Sequence, residues 1–275
     1  MLYLISCAHD NKIQHLLQGC LKAYSPFWKP IQATPQQLAQ FLRFVAEGEQ
    51  DKAEAMLKAN LGLALQSGKV TDLSKRTFKH ITAFQYAVWA RDWHMWTMLL
   101  HYLSENDAAL QLYALEQNGT EHERQFDLRI LIDVLNVLEE QWDNWNDDQK
   151  NAHWIKQVGG MQLLLPAHVV NEYCRLDRAF DPSPDFTSGP LPRMRESRRK
   201  KDWYLSDCGK QYAFIRIHLG KVHEVRNVWE NQLVSSFLEV DTFALQNLAT
   251  PRERQFESLK SGLYRSKLLL GRMVG

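Results

Sequence analysis

The sequence predicts an all-α protein built from paired amphipathic helices. Apolar residues recur at helical spacing along most of the chain, and residues suited to capping mark where helices begin. With 275 residues, the chain is long enough to bury a sizeable hydrophobic core. We therefore expect helical hairpins stacked side by side, with further helices packed against them.

The N-terminal helices are predicted from apolar spacing and from capping residues. The range 13–24 carries apolar side chains three and four residues apart, which places them on one helix face. Thr34 and Gln37 have the spacing of a capping box, so a second helix is expected to begin there and to end at Gly48. A partner helix follows it, and the two form a helical hairpin.

The helical pattern fades between Leu61 and Ile81, where glycine and turn-forming residues accumulate. We interpret this stretch as a long connection or an exposed finger. Helical spacing returns from Thr82 to Leu100, first with Phe84 and Ala87 and then with a run of leucines and tryptophans. The sequence therefore predicts a second helical hairpin in this region.

Three residues of the second hairpin carry a family resemblance. Thr82, Phe84 and Ala87 match the Thr, Leu and Ala of the ankyrin signature Thr-Pro-Leu-His-x-Ala, although Gln85 stands at the histidine. The range 36–103 resembles two divergent ankyrin-repeat hairpins. The resemblance implies an α-solenoid of two ankyrin-like hairpins, capped by further packed helices because two repeats cannot bury a core alone.

A wider resemblance rests on the tryptophan-rich second hairpin and on the segment from Leu165 to Cys174. Together with the ankyrin-like pair, these features resemble translocated effectors of intracellular bacteria, which act in virulence by holding a host protein. The resemblance implies binding of a protein partner through the finger and the first helix of the second hairpin. The residues at those positions are Lys69, Asp72, Lys75, Arg76, Lys79, Tyr86 and Trp89.

The C-terminal half is also predicted to be helical. Apolar side chains from Leu131 to Trp145 mark a long amphipathic helix, and those from Val222 to Leu233 mark another. Thr250 and Glu253 have the spacing of a capping box around a proline, so a last helix is expected to open there and to end at Gly262.

Composition suggests three regions along the chain. The range 1–174 is the ankyrin-like helical domain with its flanking helices, and 175–202 is a loop or linker rich in proline and arginine. The range 203–275 is a C-terminal helical region that either shares the first core or forms a separate one.

A cluster of cations ends the linker and suggests an alternative function. These six cations are Arg193, Arg195, Arg198, Arg199, Lys200 and Lys201. They could bind phosphates or an anionic surface, whereas the ordinary interpretation is a solvated loop.

A second alternative is a cysteine-type hydrolase that uses Cys174 and His168, because a nearby imidazole can take the proton of a thiol. Six positions separate the two residues, so their side chains would point apart on one helix, and a buried thiol is the favoured interpretation. No nucleotide-binding or zinc motif occurs, and we expect neither a cofactor nor a catalytic or metal site. A non-enzymatic interaction module is the function that the sequence favours.

The formal net charge of +1 gives no overall attraction to nucleic acid or to membranes. Four scattered cysteines do not suggest a disulfide framework, and no apolar stretch has the length of a membrane-spanning helix. We therefore expect a cytoplasmic protein, or one that reaches a host cytosol by a non-classical route.

Overall fold

A computed structural model describes residues 33–173 and 234–273. Helices and one two-stranded antiparallel sheet make up this part of the chain. The helices are α1 (Pro35–Ala46), α2 (Gln50–Ala59), α3 (Ala83–Trp89), α4 (Trp93–Leu100), α5 (Glu105–Asn118), α6 (Arg129–Glu140), α7 (Asp147–His153), α8 (Gly159–Gln162), α9 (Ala167–Tyr173) and α10 (Val234–Met273). The strands are β1 (Ser67–Thr71) and β2 (Thr77–Thr82), with a 3-10 helix at Leu61–Leu65 and a π-helical turn at Trp154–Val158.

The start of α1 follows the prediction from its capping residues. The Thr34 hydroxyl accepts a hydrogen bond from the Gln37 amide at 3.2 Å, and the Gln37 side chain accepts one from the Thr34 amide at 3.0 Å. Beyond the end of α1, Gly48 has a φ of 69°, a left-handed conformation that glycine adopts without steric cost. The predicted bounds of this helix are confirmed.

Two helical pairs pack side by side in the first half of the chain. α1 contacts both α2 and α3, while α4 contacts both α2 and α3. The second pair begins with another capping box, in which the Thr82 hydroxyl and the Gln85 side chain each bond the other's amide at 3.1 Å. Most of α3 is buried, including Phe84, Ala87 and Trp89.

The expectation of an all-α fold is wrong, because the stretch predicted as a connection forms a β-hairpin between the two helical pairs. Val70, Phe78 and Ile81 bury their side chains against the body, and Thr71, Thr77 and Thr82 supply the β-branched residues that suit strands. An ankyrin-like α-solenoid is therefore not the architecture of the described residues.

The hairpin packs closely on α1 at Gly68. A methyl group added at this glycine would come within 2.9 Å of Leu42 Cδ1 and 3.0 Å of Leu38 Cδ2. The missing side chain lets β1 approach the helix, which is a recognised reason for glycine within a strand.

α10 is one continuous helix of 40 residues, so the prediction of a new helix opening at Thr250 is wrong. Pro251 lies inside it and supplies no amide hydrogen. The Thr250 hydroxyl donates to the Gln246 carbonyl at 2.8 Å, in the turn that precedes the proline. The helix packs on α5 and α6 and touches α4.

One hydrophobic core joins these elements. It includes Phe41 of α1, Leu112 of α5, Leu135 of α6 and Leu248 of α10. The predicted amphipathic helix beginning near Leu131 is confirmed as α6, although it ends at Glu140, before the two tryptophans that we had assigned to it.

Several predictions fall outside the described residues. These are the helix at 13–24, the linker at 175–202 and the helix from Val222 to Leu233. No helix within 33–173 or 234–273 is both long and apolar enough to cross a membrane.

Candidate interaction surface

The β-hairpin presents basic side chains on its solvent face. Val70 pairs with Phe78, and Gly68 pairs with Ile81, so Lys69 lies opposite both Lys79 and His80. This two-against-one arrangement is a β-bulge, and it turns Lys79 and His80 toward solvent together. We call Lys69, Lys75 and Lys79 the cationic face; all three are exposed, as is the neighbouring His80.

Two features of the cationic face are unfavourable for folding. Lys69 and Lys79 are cross-strand neighbours, and like charges in that position cost a few tenths of a kcal/mol to about 1 kcal/mol. Lys75, at the turn, has a φ of 70°, which costs a residue with a side chain roughly 1 kcal/mol compared with glycine. Lysine therefore occupies these positions despite the local conformational and electrostatic cost.

A buried carboxylate organises the turn of the hairpin. Asp72 accepts hydrogen bonds from the Ser74 hydroxyl at 2.6 Å and from the Arg76 amide at 3.1 Å. It also accepts one from the Tyr86 hydroxyl of α3, at 3.3 Å. Since Tyr86 belongs to the helical body, these bonds connect the tip of the hairpin to α3.

Arg76 ties the hairpin to two further segments. Its Nη1 donates to the Leu164 carbonyl at 2.6 Å, and its Nη2 lies 2.5 Å from a carboxylate oxygen of Glu123. The guanidinium carbon also lies 5.4 Å from the centre of the Trp89 ring. Arg76 is mostly buried and Glu123 is exposed, so this hydrogen-bonded ion pair at the protein surface fixes the geometry of the turn more than it adds to stability.

The loop that follows α5 covers the outer edge of β2. His122 Nε2 lies 3.0 Å from the Thr77 carbonyl, and the Lys79 amide donates to the Glu121 side chain at 3.0 Å. The backbone groups of an edge strand otherwise pair readily with other chains. Side chains of this loop therefore block strand addition at that edge.

The environment of the turn shifts the pKa of its ionisable groups. Burial raises the pKa of Asp72 above its ordinary value, although Ser74 and Arg76 act in the opposite direction. Burial, followed by the charge of Asp72, raises the pKa of Tyr86 well above its usual range. Hydrogen bonds from backbone amides, the first from its own amide, lower the pKa of the exposed Glu121.

The predicted partner-binding residues divide into two groups. Asp72, Tyr86 and Trp89 are only 5%, 2% and 0% exposed, so as placed here they cannot form a contact surface. Arg76 is mostly occupied by the bonds that anchor the hairpin. Lys69, Lys75 and Lys79 are exposed, and the structure brings them onto one hairpin.

The sequence interpretation missed His80 and the loop from Gly119 to Phe126. His80 follows Lys79 directly, and only the bulge, which the sequence pattern does not reveal, turns both side chains outward. The loop has a dense charge pattern at Glu121, Glu123 and Arg124, which marks an exposed segment without indicating what it covers.

The residues of the two alternative functions are only partly described. His168 is buried at the start of α9, and its Nε2 lies 2.6 Å from the Ala90 carbonyl. Cys174 lies outside the described residues, as do Arg193, Arg195, Arg198, Arg199, Lys200 and Lys201. In the part of the chain that the structure describes, no three His, Cys, Asp or Glu side chains converge as metal ligands would.

Comparisons with known proteins give one family model and one similar protein, and the name of neither assigns an activity. Residues 130–263 match a family model described as the CBUA0006 C-terminal domain. The chain is also similar to "Uncharacterized protein CBUA0006" of Coxiella burnetii (strain RSA 493 / Nine Mile phase I), with 39% identity over 210 residues. This alignment covers 64% of the present chain and 62% of the relative, so the chain spans less than two thirds of that protein's length. No solved structure matches the chain.

Proposed function

We propose that this chain is a non-enzymatic interaction module that holds a protein partner through the cationic face of its hairpin. One observation carries the proposal: Lys69, Lys75 and Lys79 occupy exposed positions where lysine is locally unfavourable. A residue in an energetically unfavourable position is a candidate for a functional role, because that role can account for the free energy that the position costs.

The charges left on this surface indicate an acidic partner segment. Arg76 is paired with Glu123, and Asp72 is buried beneath the turn, so neither faces a partner. Glu121 offsets part of the charge of Lys79, whereas no described carboxylate forms an ion pair with Lys69 or Lys75. Complementary charge increases the rate and specificity of association, and the effect weakens as salt is added.

The anchoring of the hairpin favours binding by reducing its entropic cost. A loop that must become ordered on binding loses part of its affinity to that ordering. Here the turn is held from inside by Asp72, and Arg76, at the end of the turn, bonds it to the helical body. The lysines are therefore presented on a preorganised backbone, although their own side chains remain flexible.

A charge-reversal experiment tests the proposal. The full chain is immobilised, and proteins retained from a host-cell lysate are quantified by mass spectrometry for the wild type and for the combined variant Lys69→Glu, Lys75→Glu and Lys79→Glu. We expect at least one protein to be retained by the wild type and to fall roughly tenfold or more with the variant, since several charge-assisted contacts are lost.

The matched control reverses three lysines elsewhere on the chain. Lys52, Lys58 and Lys156 are also exposed, so changing them to glutamate gives the same net charge on a different surface. The control is expected to retain the same protein at the wild-type level. Equal retention by all three proteins, or equal loss in both variants, would contradict binding through the cationic face.

We also propose that the partner is a host protein, which rests on the resemblance to translocated effectors. A reporter of delivery into the host cytosol, fused to the full chain, is expected to give a signal when the producing bacterium is inside a host cell. The same fusion in a strain without its secretion apparatus is the control, and an equal signal from both strains contradicts delivery.

A further inference from the structure

A small cleft separate from the hairpin gathers several charged side chains. It lies where the α3–α4 turn, residues 125–129, the start of α9 and the middle of α10 meet. The cleft is small and open to solvent, with a cavity volume of about 40 Å³. Its charged and titratable lining residues are Arg91, Asp127, Arg129, His168, Arg252 and Glu253.

Arg91 holds an unusual backbone conformation in this cleft. Its φ is 60°, in the left-handed region that favours glycine and costs other residues on the order of 1 kcal/mol. The turn itself needs only a residue that tolerates this conformation, and glycine would supply it at lower cost. The choice of arginine therefore points to a role for the side chain.

The guanidinium of Arg91 is only partly satisfied by the protein. Its Nη2 donates to the Gln125 side chain at 2.6 Å, and its carbon lies 3.8 Å from the centre of the Phe256 ring. Its Nη1 is buried without a hydrogen-bond partner among the described residues. No described carboxylate forms an ion pair with it at 4 Å or less.

The acids near the cleft leave this cation uncompensated at close range. Asp127 is held by Arg129 through contacts of 2.8 to 3.0 Å, so its hydrogen bonds go to Arg129, and it attracts Arg91 only through its charge. Glu253 and Glu257 are exposed and act on Arg91 from a distance. Solvent and salt weaken the attraction between these two carboxylates and Arg91.

A second guanidinium lies in the same cleft. Arg252 of α10 is only 4% exposed, donates from Nη1 to the Gln255 side chain at 2.8 Å and lies over the Trp93 ring. Arginine forks match the planar geometry of carboxylates and the oxygens of phosphates, and they stack well on aromatic rings. Two arginines, each placed against an aromatic ring, thus line one small cavity.

We propose that this cleft binds one oxyanion group, a carboxylate or a phosphate, of a small ligand, with Arg91 Nη1 as the principal donor. A buried charged donor that lacks a partner costs free energy, and arginine cannot relieve that cost by losing its proton. An oxyanion at the cleft would accept the remaining hydrogen bond and supply the missing countercharge. This site is independent of the proposed hairpin surface.

Calorimetric titration of the full chain tests the site. Inorganic phosphate and acetate are titrated separately at constant ionic strength, against the wild type and Arg91→Gln. Saturable binding of at least one anion is expected, with affinity roughly tenfold or more weaker in the variant, because one charge-assisted contact is lost. Binding of phosphate alone, of acetate alone or of both identifies which oxyanion the site accepts.

A control variant and an NMR titration separate loss of the anion site from a folding defect of the variant. Arg124→Gln removes an exposed arginine that does not line the cleft, and it is expected to bind like the wild type. In the unaltered protein, the NMR signal of the Arg91 side chain should shift during the anion titration, which avoids any folding defect of a variant. Failure of both anions to bind, or equal binding by Arg91→Gln, would overturn the proposal.

Discussion

At the scale of single residues, Asp72 lies in a different environment from the one that the sequence suggests. In the sequence it stands between Lys69 and Lys75, so we expected it on the surface of an exposed finger. In the structure it lies beneath the turn, bonded to Ser74, Arg76 and Tyr86. Sequence spacing could not show this, because Tyr86 is 14 positions away and meets Asp72 only after the hairpin folds onto α3.

The burial of Asp72 predicts a particular dependence of stability on pH. Burial raises its pKa in the folded state above the ordinary 3.8, so the folded state binds this proton more tightly than the unfolded state. The contribution of this proton to the free energy of unfolding is therefore fully present below pH 3.8, and it is lost as pH rises through the raised pKa of the folded state.

Urea unfolding of the wild type and Asp72→Asn at a series of pH values measures this effect. The unfolding free energy of the wild type, relative to that of the variant, should decrease as pH rises from about 4 toward neutrality. Comparing the two proteins cancels the titration of the other carboxylates. A relative stability that stays constant or increases with pH would show that Asp72 is not desolvated as described.

Gly48 gives a second prediction at this scale. Its φ of 69° strains any other residue, and an added methyl group would lie 3.0 Å from the Asn171 side-chain nitrogen. Gly48→Ala should therefore lower the unfolding free energy by about 1–2 kcal/mol in chemical denaturation.

The control for Gly48 is Gly262→Ala in α10, where an added methyl group meets nothing within 4 Å. Alanine is the better helix former by up to about 1 kcal/mol, so this change should leave stability equal or slightly higher. If both substitutions changed stability by the same amount, the left-handed conformation of Gly48 would not be the cause.

At the scale of elements, the start of α1 was predictable, whereas the predicted start at Thr250 was wrong. The capping box at Thr34 is local in sequence, and the structure contains it. The hairpin was missed because the bulge at Lys79 and His80 breaks the alternation of buried and exposed residues that identifies a strand. The clustering of Lys69 with Lys79 was hidden for the same reason, although each lysine was individually expected to be exposed.

A substitution at Pro251 can distinguish a helix that begins at Thr250 from the continuous helix α10. A proline at the first turn of a helix is favourable, whereas one in the interior costs about 3 kcal/mol. Because Pro251 is interior in the structure, Pro251→Ala should raise the unfolding free energy by about 1–3 kcal/mol. A neutral or destabilising result in thermal and chemical unfolding would favour a helix that begins at Thr250.

At the scale of the whole molecule, distant parts of the sequence form one core, and the hairpin is attached to it. Leu245 and Leu248 of α10 belong to the same hydrophobic cluster as residues of α1 and α3. Arg76 bonds the hairpin to Leu164 and Glu123, which are far apart in sequence. Long-range packing of this kind is not encoded in local periodicity, so the sequence predicted the helices better than their assembly.

Amide hydrogen exchange, followed residue by residue, tests the central claim that the hairpin is an ordered platform fixed to the helical body. Amides bonded between β1 and β2 should exchange at least about a hundredfold more slowly than in an unfolded chain, and Arg76→Ala should accelerate them while leaving α3 protected. Exchange of residues 67–82 at the unprotected rate, with α1 and α3 still protected, would contradict the account.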